Sequence, residues 1–562
     1  MIVGIDLGTT NSLIGAYLDD GPTLFPNASG DDLTPSAVSI DQGGGVIVGA
    51  GARDRLITHA SSSVAYFKRW MGSPRETILA GKSLRPEQLS ALVIKNLIAD
   101  AEAATGQKVT EAVISVPAYF SDAQRNATRV AGELAGIKVE RLINEPTAAA
   151  LAYGLQERAD GGRFLVFDLG GGTLDVSLIE IFDGVVEVHA SAGDNFLGGE
   201  DFLDALVQEA ARELSIDLTK IELSEQAQMR RRLEALKLQL SQPGPPVAEF
   251  QIGGKNLQWS IDETKFSMIS EGLINRMRAP LERTLRDSNL TPDKLDEVVL
   301  VGGASRMPLV SRTVSRLLGR LPLRHVNPDR AIALGAVVAS GMKSRNAKLD
   351  EVILTDVCPY TLGTDVVRWD SAGNRHDGFL LPIINRNSVV PISREEQLWP
   401  VHEDQTEMHY NIFQGENPIA DKNVKLGELR VPLPPGAKGR ERGTTVRFTY
   451  DVNGILQVEV TVDKTGEKHE LILEQNPGVL TKAQIQDRLA ALSKLKIHPR
   501  AQQENLALIA RAERLYEEQI SDRNQIQAML LDFQAVLETQ DDRQIAQVRD
   551  RFAEELGRIE RL

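Results

Sequence analysis

Two stretches of this chain place an acid at the end of an apolar run and follow it with small residues. The first is Val3-Gly4-Ile5-Asp6-Leu7-Gly8-Thr9-Thr10-Asn11; the second is Leu165-Val166-Phe167-Asp168-Leu169-Gly170-Gly171-Gly172-Thr173. Turns made of glycine and threonine let backbone N–H groups come close to phosphate oxygens. A facing pair of such turns could clamp a polyphosphate from both sides. Asp6 and Asp168 could then hold Mg2+ through its water shell, since that cation prefers oxygen ligands and keeps its waters. Each loop taken singly is as readily an ordinary glycine hairpin, and it is the repetition that favours the phosphate reading.

Other phosphate and metal chemistries find no support. Gly81-Lys82-Ser83 ends like a P-loop, but position 76 is Glu where a glycine is required, and no G-x-G-x-x-G occurs, so Lys82 is expected in a loop. The single cysteine, Cys358, forms no internal disulfide and has no Cys/His cluster around it for zinc. A net charge of -15 argues against a nucleic-acid surface, which needs clustered Lys and Arg. No basic, apolar leader precedes Asp6 and no run of about 18 apolar residues follows, so the expected address is cytoplasmic, with no membrane partner.

The elements that must carry these residues change character along the 562 positions, a length that suggests roughly three or four domains. To about Lys348 apolar strand-like runs alternate with helical periods, for example Val113-Ile114-Ser115-Val116 before a helix over 123–135. The loop echo implies two similar lobes. Beyond Asp356 short alternating strands take over, clearest where Val446, Phe448 and Tyr450 lead into Asp451-Val452-Asn453-Gly454 and Leu456, Val458 and Val460 follow. From Thr481 helices dominate: Thr481 and Gln484 form a capping box before Ile485, Leu489 and Leu492, and His498-Pro499 breaks that helix. Stripes at Leu508, Ala512, Leu515 and at Ile526, Met529, Phe533, Leu537 predict helices packed on one another.

The two loops, together with Val116-Pro117-Ala118-Tyr119-Phe120, Asn144-Glu145-Pro146-Thr147-Ala148-Ala149-Ala150, Leu197-Gly198-Gly199-Glu200-Asp201-Phe202 and Val301-Gly302-Gly303-Ala304-Ser305-Arg306, resemble the heat-shock protein 70 family of DnaK-type chaperones over nearly the whole chain. The resemblance implies a multidomain fold: a two-lobed α/β ATPase of the actin/hexokinase type over 1–348, a linker over 349–356, an antiparallel β-sandwich for peptides over 357–476 and an α-helical lid over 477–562. It implies ATP and Mg2+ as cofactors. Lys68 matches the lysine that positions the hydrolytic water, where a cation also stabilises transition-state charge. Glu145, Asp168 and Thr173 match the remaining catalytic groups, with Asp6 and Asp175 in support. Gly8, Thr9, Thr10, Asn11, Gly170, Gly171, Gly172 and Gly199 match the phosphate loops. Glu234, Lys237 and Ser241, on one helical face, match the adenine and ribose contacts, and Gly302, Gly303, Arg306 and Asp329 the other half of that pocket.

For coupling, Glu351-Val352-Ile353-Leu354-Thr355-Asp356 resembles the interdomain linker, although periodicity reads it equally as one more strand. Pro117, Arg125 and Glu145 match the route from nucleotide to linker, and Arg141, Asn144 and Asp356 the contacts of a J-domain co-chaperone. Thr364, Val366, Leu398, Met408 and Tyr410 match the client pocket, with Val367 and Val401 at the arch; Tyr410 is bulkier and Thr364 more polar than that pocket ordinarily carries. Segments between Met71 and Pro86, after Ser241 and beyond Pro499 are shorter than in most members, as in the specialised HscC type, which implies fast exchange without a nucleotide-exchange factor.

The expected function is ATP-dependent binding and release of extended hydrophobic client segments. A small-molecule kinase or an actin-like filament ATPase shares the loops, but gives no role to the residues after Asp356.

Overall fold

The computed structural model describes residues 1–41, 44–154, 161–182, 185–240, 244, 246–323, 326–344, 353–371, 373–402, 404–434, 439–451, 456–473, 503–519 and 522–560. Ser241, Val352 and the expected helix from Thr481 to its break at His498-Pro499 lie outside these residues. The chain divides into two compact units, Met1–Pro359 and Tyr360–Leu562.

In the first unit the loop echo reappears as two sheets of matching order. In one, Ile2–Asp6 runs parallel to Glu111–Val116, which runs parallel to Lys138–Asn144; on its other side Ile2–Asp6 pairs antiparallel with Asn11–Leu18, and that strand with Gly21–Leu24. In the other, Gly162–Leu169 runs parallel to Glu297–Val301 and antiparallel to Leu174–Phe182, which pairs with Val185–Asp194. Each acid-ended strand is thus central. Both faces of such strands are covered, so Phe164, Leu165, Val166 and Phe167 are all buried and the sequence there is a continuous apolar run rather than an alternation. Helices Asp122–Leu134, one residue earlier than the pattern predicts, and Ala331–Lys343 pack against the first sheet. Lys82, expected in a loop, instead opens the strand Lys82–Leu84, which pairs with Thr77–Leu79 in the short hairpin between Met71 and Pro86; three-residue strands carry too little pattern to be read from sequence.

Ile353–Val357 is a strand. It pairs in parallel with Val185–Asp194, in register Val185↔Ile353, Val186↔Leu354 and Glu187↔Thr355, within the first unit.

The second unit holds two four-stranded antiparallel sheets. One follows the order Arg375–Ile384, Leu362–Trp369, Glu407–Gln414, Val424–Pro432; the other Ile392–Leu398, Thr444–Tyr450, Leu456–Val462, Lys468–Leu473. The alternation at Val446, Phe448, Tyr450 and Leu456, Val458, Val460 is the buried face of the latter. Helices Gln503–Glu518, Arg523–Glu538 and Asp542–Ile559 share a core of Leu508, Ala512, Leu515, Ile526, Phe533 and Leu537, with Phe533 and Phe552 rings 5.2 Å apart. Gln540, between the last two helices, donates from Nε2 to the Glu395 carbonyl at 2.8 Å and accepts from the Glu395 N–H at 3.2 Å, occupying the free edge of Ile392–Leu398. No helix among the described residues is long and apolar enough to cross a membrane.

Candidate active site

The two glycine loops face each other. A Cβ built on Gly171 would lie 2.0 Å from Thr10 Oγ1, and one on Gly172 would lie 2.9 Å from Thr9 Cγ2 and 2.7 Å from Arg69 Cγ. Only glycine permits that approach. The first loop is braced beneath by Ser36, which donates to the Gly8 carbonyl at 2.8 Å and pairs with Ser12 Oγ at 2.9 Å. The second turns tightly, the Gly170 N–H donating to the Thr173 carbonyl at 3.0 Å. Gly199 and Glu200 N–H groups, opening the helix Gly199–Glu213, donate to Gly170 and Gly171 carbonyls at 2.9 Å, so the helix N-terminus is fastened to the loop.

Around these loops the charges are buried. Lys68, on the turn Phe67–Trp70, donates from Nζ to Glu145 Oε1 at 3.0 Å, and both side chains are almost wholly enclosed. Glu145 is the first residue of the helix Glu145–Ala152, where a carboxylate is favoured by the helix dipole. Asp6 accepts from Ser115 Oγ at 2.8 Å, and Asp175 accepts from the Tyr119 N–H at 2.8 Å. Asp168 and Asp175 are opposite one another across paired strands, and each leaves its Oδ2 buried without a hydrogen-bond partner. Burial first, and Glu145 second, push the Asp6 carboxyl up to about 6 and that of Asp175 up to about 7. Burial likewise raises Asp168, with Glu145, Asp175 and Asp6 adding to it.

Four acids against one enclosed lysine make a site short of positive charge. Buried carboxylate oxygens without partners are what a hydrated divalent cation satisfies. Among the described residues no three His, Cys, Asp or Glu side chains converge to ligate a metal directly.

The other residues matched in the sequence lie around these loops. Lys237 donates from Nζ to the Gly199 carbonyl at 2.8 Å and pairs with Glu234 at 2.8 Å, one helical turn away. Gly302 has φ 77° and a Cβ there would lie 2.6 Å from Asp168 Oδ1; Gly303 faces Asp329, which pairs with Arg306 at 2.7 Å. Asn11 begins the strand after the first loop. Three contributors escape pattern reading. Ser115, Tyr119 and the pair Arg69–Asp201, at 3.0 Å, touch the site only through tertiary pairing; the Arg beside Lys68 and the acid in the first turn of its helix are the available signals.

Of the coupling residues, Arg125 donates from Nη2 to Asn144 Oδ1 at 2.6 Å and to the Ala118 carbonyl at 3.1 Å, while Asn144 Nδ2 donates to Asp356 Oδ2. The Pro117 carbonyl accepts from the Phe120 N–H at 3.2 Å, and Arg141 lies partly exposed on the strand that ends in Asn144. In the second unit Thr364, Met408 and Tyr410 are buried, Val366, Val367 and Leu398 are partly exposed, and Val401 is exposed. The Tyr410 hydroxyl reaches Thr444 Oγ1 of the other sheet, and Thr444 Oγ1 donates to the Leu398 carbonyl at 3.1 Å. Burial lifts the Tyr410 phenol to about 12 against the lowering effect of that Thr444 bond.

Comparison with known proteins gives the family. The family model described as Hsp70 protein matches residues 2–560. The chain is 38% identical over 487 residues to the Chaperone protein DnaK of Thermotoga neapolitana, covering 84% of this chain and 80% of that protein. It is 38% identical over 486 residues to the Chaperone protein DnaK of Thermosipho africanus, covering 84% and 79%. The match runs through both compact units and every motif assembled above, and the chain belongs to the Hsp70 family.

Proposed function

We propose that residues 1–348 are the two-lobed nucleotide-binding ATPase of this chaperone, that its catalytic centre is the Lys68–Glu145 pair at the facing glycine loops, and that the sheets and helices after residue 357 form its β-sandwich client domain and lid. As an Hsp70 protein the chain is an ATP-dependent chaperone and an ATPase that uses ATP with Mg2+. The buried Lys68–Glu145 contact, beside carboxylate oxygens that lack partners, carries the assignment of the centre.

Hydrolysis adds water to the γ-phosphorus and breaks its bond to the bridging oxygen, leaving ADP and phosphate. In this reading Lys68, oriented by Glu145, holds the attacking water and offsets negative charge developing on the γ-oxygens. Thr9, Thr10 and the N–H groups of Gly171 and Gly172 hold the phosphate chain, with Gly170 closing the turn onto Thr173, which flanks it. Asp6 and Asp168 would hold Mg2+ through water, and the bound ion supplies charge neutralisation across the phosphates. Glu234 and Lys237 would take the ribose and adenine on one side; Gly302, Gly303, Arg306 and Asp329 would take them on the other.

Coupling would run through Asn144 to Asp356 on the strand that serves as linker, with Arg141 beside them as the landing place of a J-domain partner. Clients would lie against the pocket of Thr364, Val366, Leu398, Met408 and Tyr410, under Val367 and Val401, held by backbone hydrogen bonds. The short hairpin after Met71 supports the HscC type, the short stretch after Ser241 in the sequence supports exchange independent of a separate factor, and the likeness to DnaK supports a cytoplasmic address. A kinase or filament protein has no use for a second unit of this kind. The test is the dissociation rate of a fluorescent extended peptide: release faster with ATP than with ADP is expected, and equal rates contradict the proposal.

A further inference from the structure

Phe67–Trp70 is a single 3-10 turn, and three consecutive side chains leave it towards three different elements. Lys68 reaches Glu145. Arg69 Nη2 donates to both carboxylate oxygens of Asp201, at 3.1 and 3.0 Å. Trp70 lies against Phe196, ring centroids 5.7 Å apart and planes tilted by 52°. The first two contacts belong to the site already described, whereas the third has no part in it.

The aromatic pair lies outside the hydrophobic cores. Trp70 is 38% exposed and Phe196 48%, and the Arg75 guanidinium stacks over the Trp70 ring at 4.3 Å. Phe196 is firmly held: its N–H donates to Asp194 Oδ1 at 2.9 Å, its carbonyl accepts from Arg276 Nη2 at 3.1 Å, and Arg276 pairs with Asp194 at 2.7 Å. Two residues further on lies Gly198, where a Cβ would stand 2.4 Å from the Gly171 backbone. The turn itself is confined at both ends by left-handed residues, Tyr66 at φ 61° and Gly72 at φ 73°, with Gly72 against the Ala123 backbone. Backbone bonds close it, Arg69 N–H to the Tyr66 carbonyl at 3.3 Å, Met71 N–H to the Lys68 carbonyl at 3.0 Å and Ser73 N–H to the Trp70 carbonyl at 3.0 Å, and Phe67 and Met71 anchor it in a hydrophobic core. The Trp70–Phe196 contact is what ties it to the segment before Gly198.

We propose that the Trp70–Phe196 contact is a positioning device for hydrolysis: it joins the turn that carries Lys68 to the segment leading into Gly198 and Gly199, and so keeps the lysine at the phosphate loops. This rests on the reading of Lys68 as the catalytic cation. A shift of about 1 Å in a reacting group costs on the order of a hundredfold in rate, and an exposed aromatic pair contributes enough to hold a turn but not to hold a fold.

The test is single-turnover ATP hydrolysis together with nucleotide affinity and melting temperature, on the full chain carrying Trp70→Ala, Phe196→Ala, both together, or Trp70→Phe. The expected result is a chemical step slowed about tenfold in each alanine variant, with nucleotide affinity within about twofold, because the adenine end is untouched. The double variant should be no slower than either single one, and Trp70→Phe should restore most of the rate. An unchanged rate in Trp70→Ala, losses that multiply in the double variant, or a loss seen only in affinity or melting temperature would overturn the proposal. Lys68→Ala separates the two ideas: if it hydrolyses ATP at the wild-type rate the site reading itself fails, whereas if it is inactive while Trp70→Ala is normal only the positioning role fails.

Discussion

Asn144 donates through Nδ2 to the Asp356 carboxylate, and the residue that follows Asn144 is Glu145, which holds Lys68 at 3.0 Å. One peptide bond therefore separates the contact made by the strand Ile353–Val357 from the contact made by the candidate catalytic lysine. Movement of that strand off Val185–Asp194 would be felt at Asn144, and through it at the start of the helix Glu145–Ala152. Asp356→Ala should leave basal single-turnover hydrolysis within about twofold while removing most of the acceleration caused by a bound peptide, since the coupling free energy of such two-site systems is about 1–3 kcal/mol. Parallel rate measurements with and without peptide check this.

The Lys68–Glu145 pair predicts an asymmetric stability pattern. Lys68 is the enclosed cation among four buried acids, so removing it leaves uncompensated buried charge at a cost of about 3–5 kcal/mol, whereas without Glu145 it still faces Asp6, Asp168 and Asp175. Lys68→Met should destabilise the nucleotide-free protein by that order, and Glu145→Leu should destabilise it less. Denaturant titration of the three proteins decides it.

Gly171→Ala tests the facing loops. Its Cβ would lie 2.0 Å from Thr10 Oγ1, and relieving such overpacking costs about 1–3 kcal/mol. ATP binding measured by calorimetry should weaken by about tenfold or more, while Gly21→Ala, at a glycine with φ 112° but open space around it, should leave binding alone.

Much of the fold around the site is legible in the sequence. The acid-ended strands at Asp6 and Asp168 are buried on both faces, so their apolar runs are unbroken, and the glycines after them are dictated by an approach that admits no side chain. The stripes at Leu508 and Ile526 are likewise local. Ser115, Tyr119 and Asp201 are not legible, because each meets its partner across the fold and nothing in a window around it records that partner. The segment 353–357 is ambiguous for a different reason: an apolar run that pairs with a sheet edge and one that serves as a connector have the same pattern.

Tyr410 gives the pH prediction. Its phenol titrates at about 12 in the fold, chiefly through burial, against about 10 in an unfolded chain. The neutral form is therefore the folded one. Stability from this group is fully present below pH ~10 and is lost as pH rises from there towards 12, by up to roughly 3 kcal/mol. Tyr410→Phe should lose less stability between pH 9 and pH 11 than wild type in urea denaturation followed in the second unit; parallel losses would contradict the assignment.

If Lys68 drives hydrolysis and client binding in the second unit controls it, both effects must appear in one experiment: single-turnover ATP hydrolysis by the full chain, with and without a saturating extended hydrophobic peptide, in wild type and Lys68→Ala. The expected result is a rate that rises with peptide in wild type and a loss of about a hundredfold or more in Lys68→Ala. A wild-type rate indifferent to peptide, or a Lys68→Ala rate equal to wild type, would contradict that coupling of lysine and client.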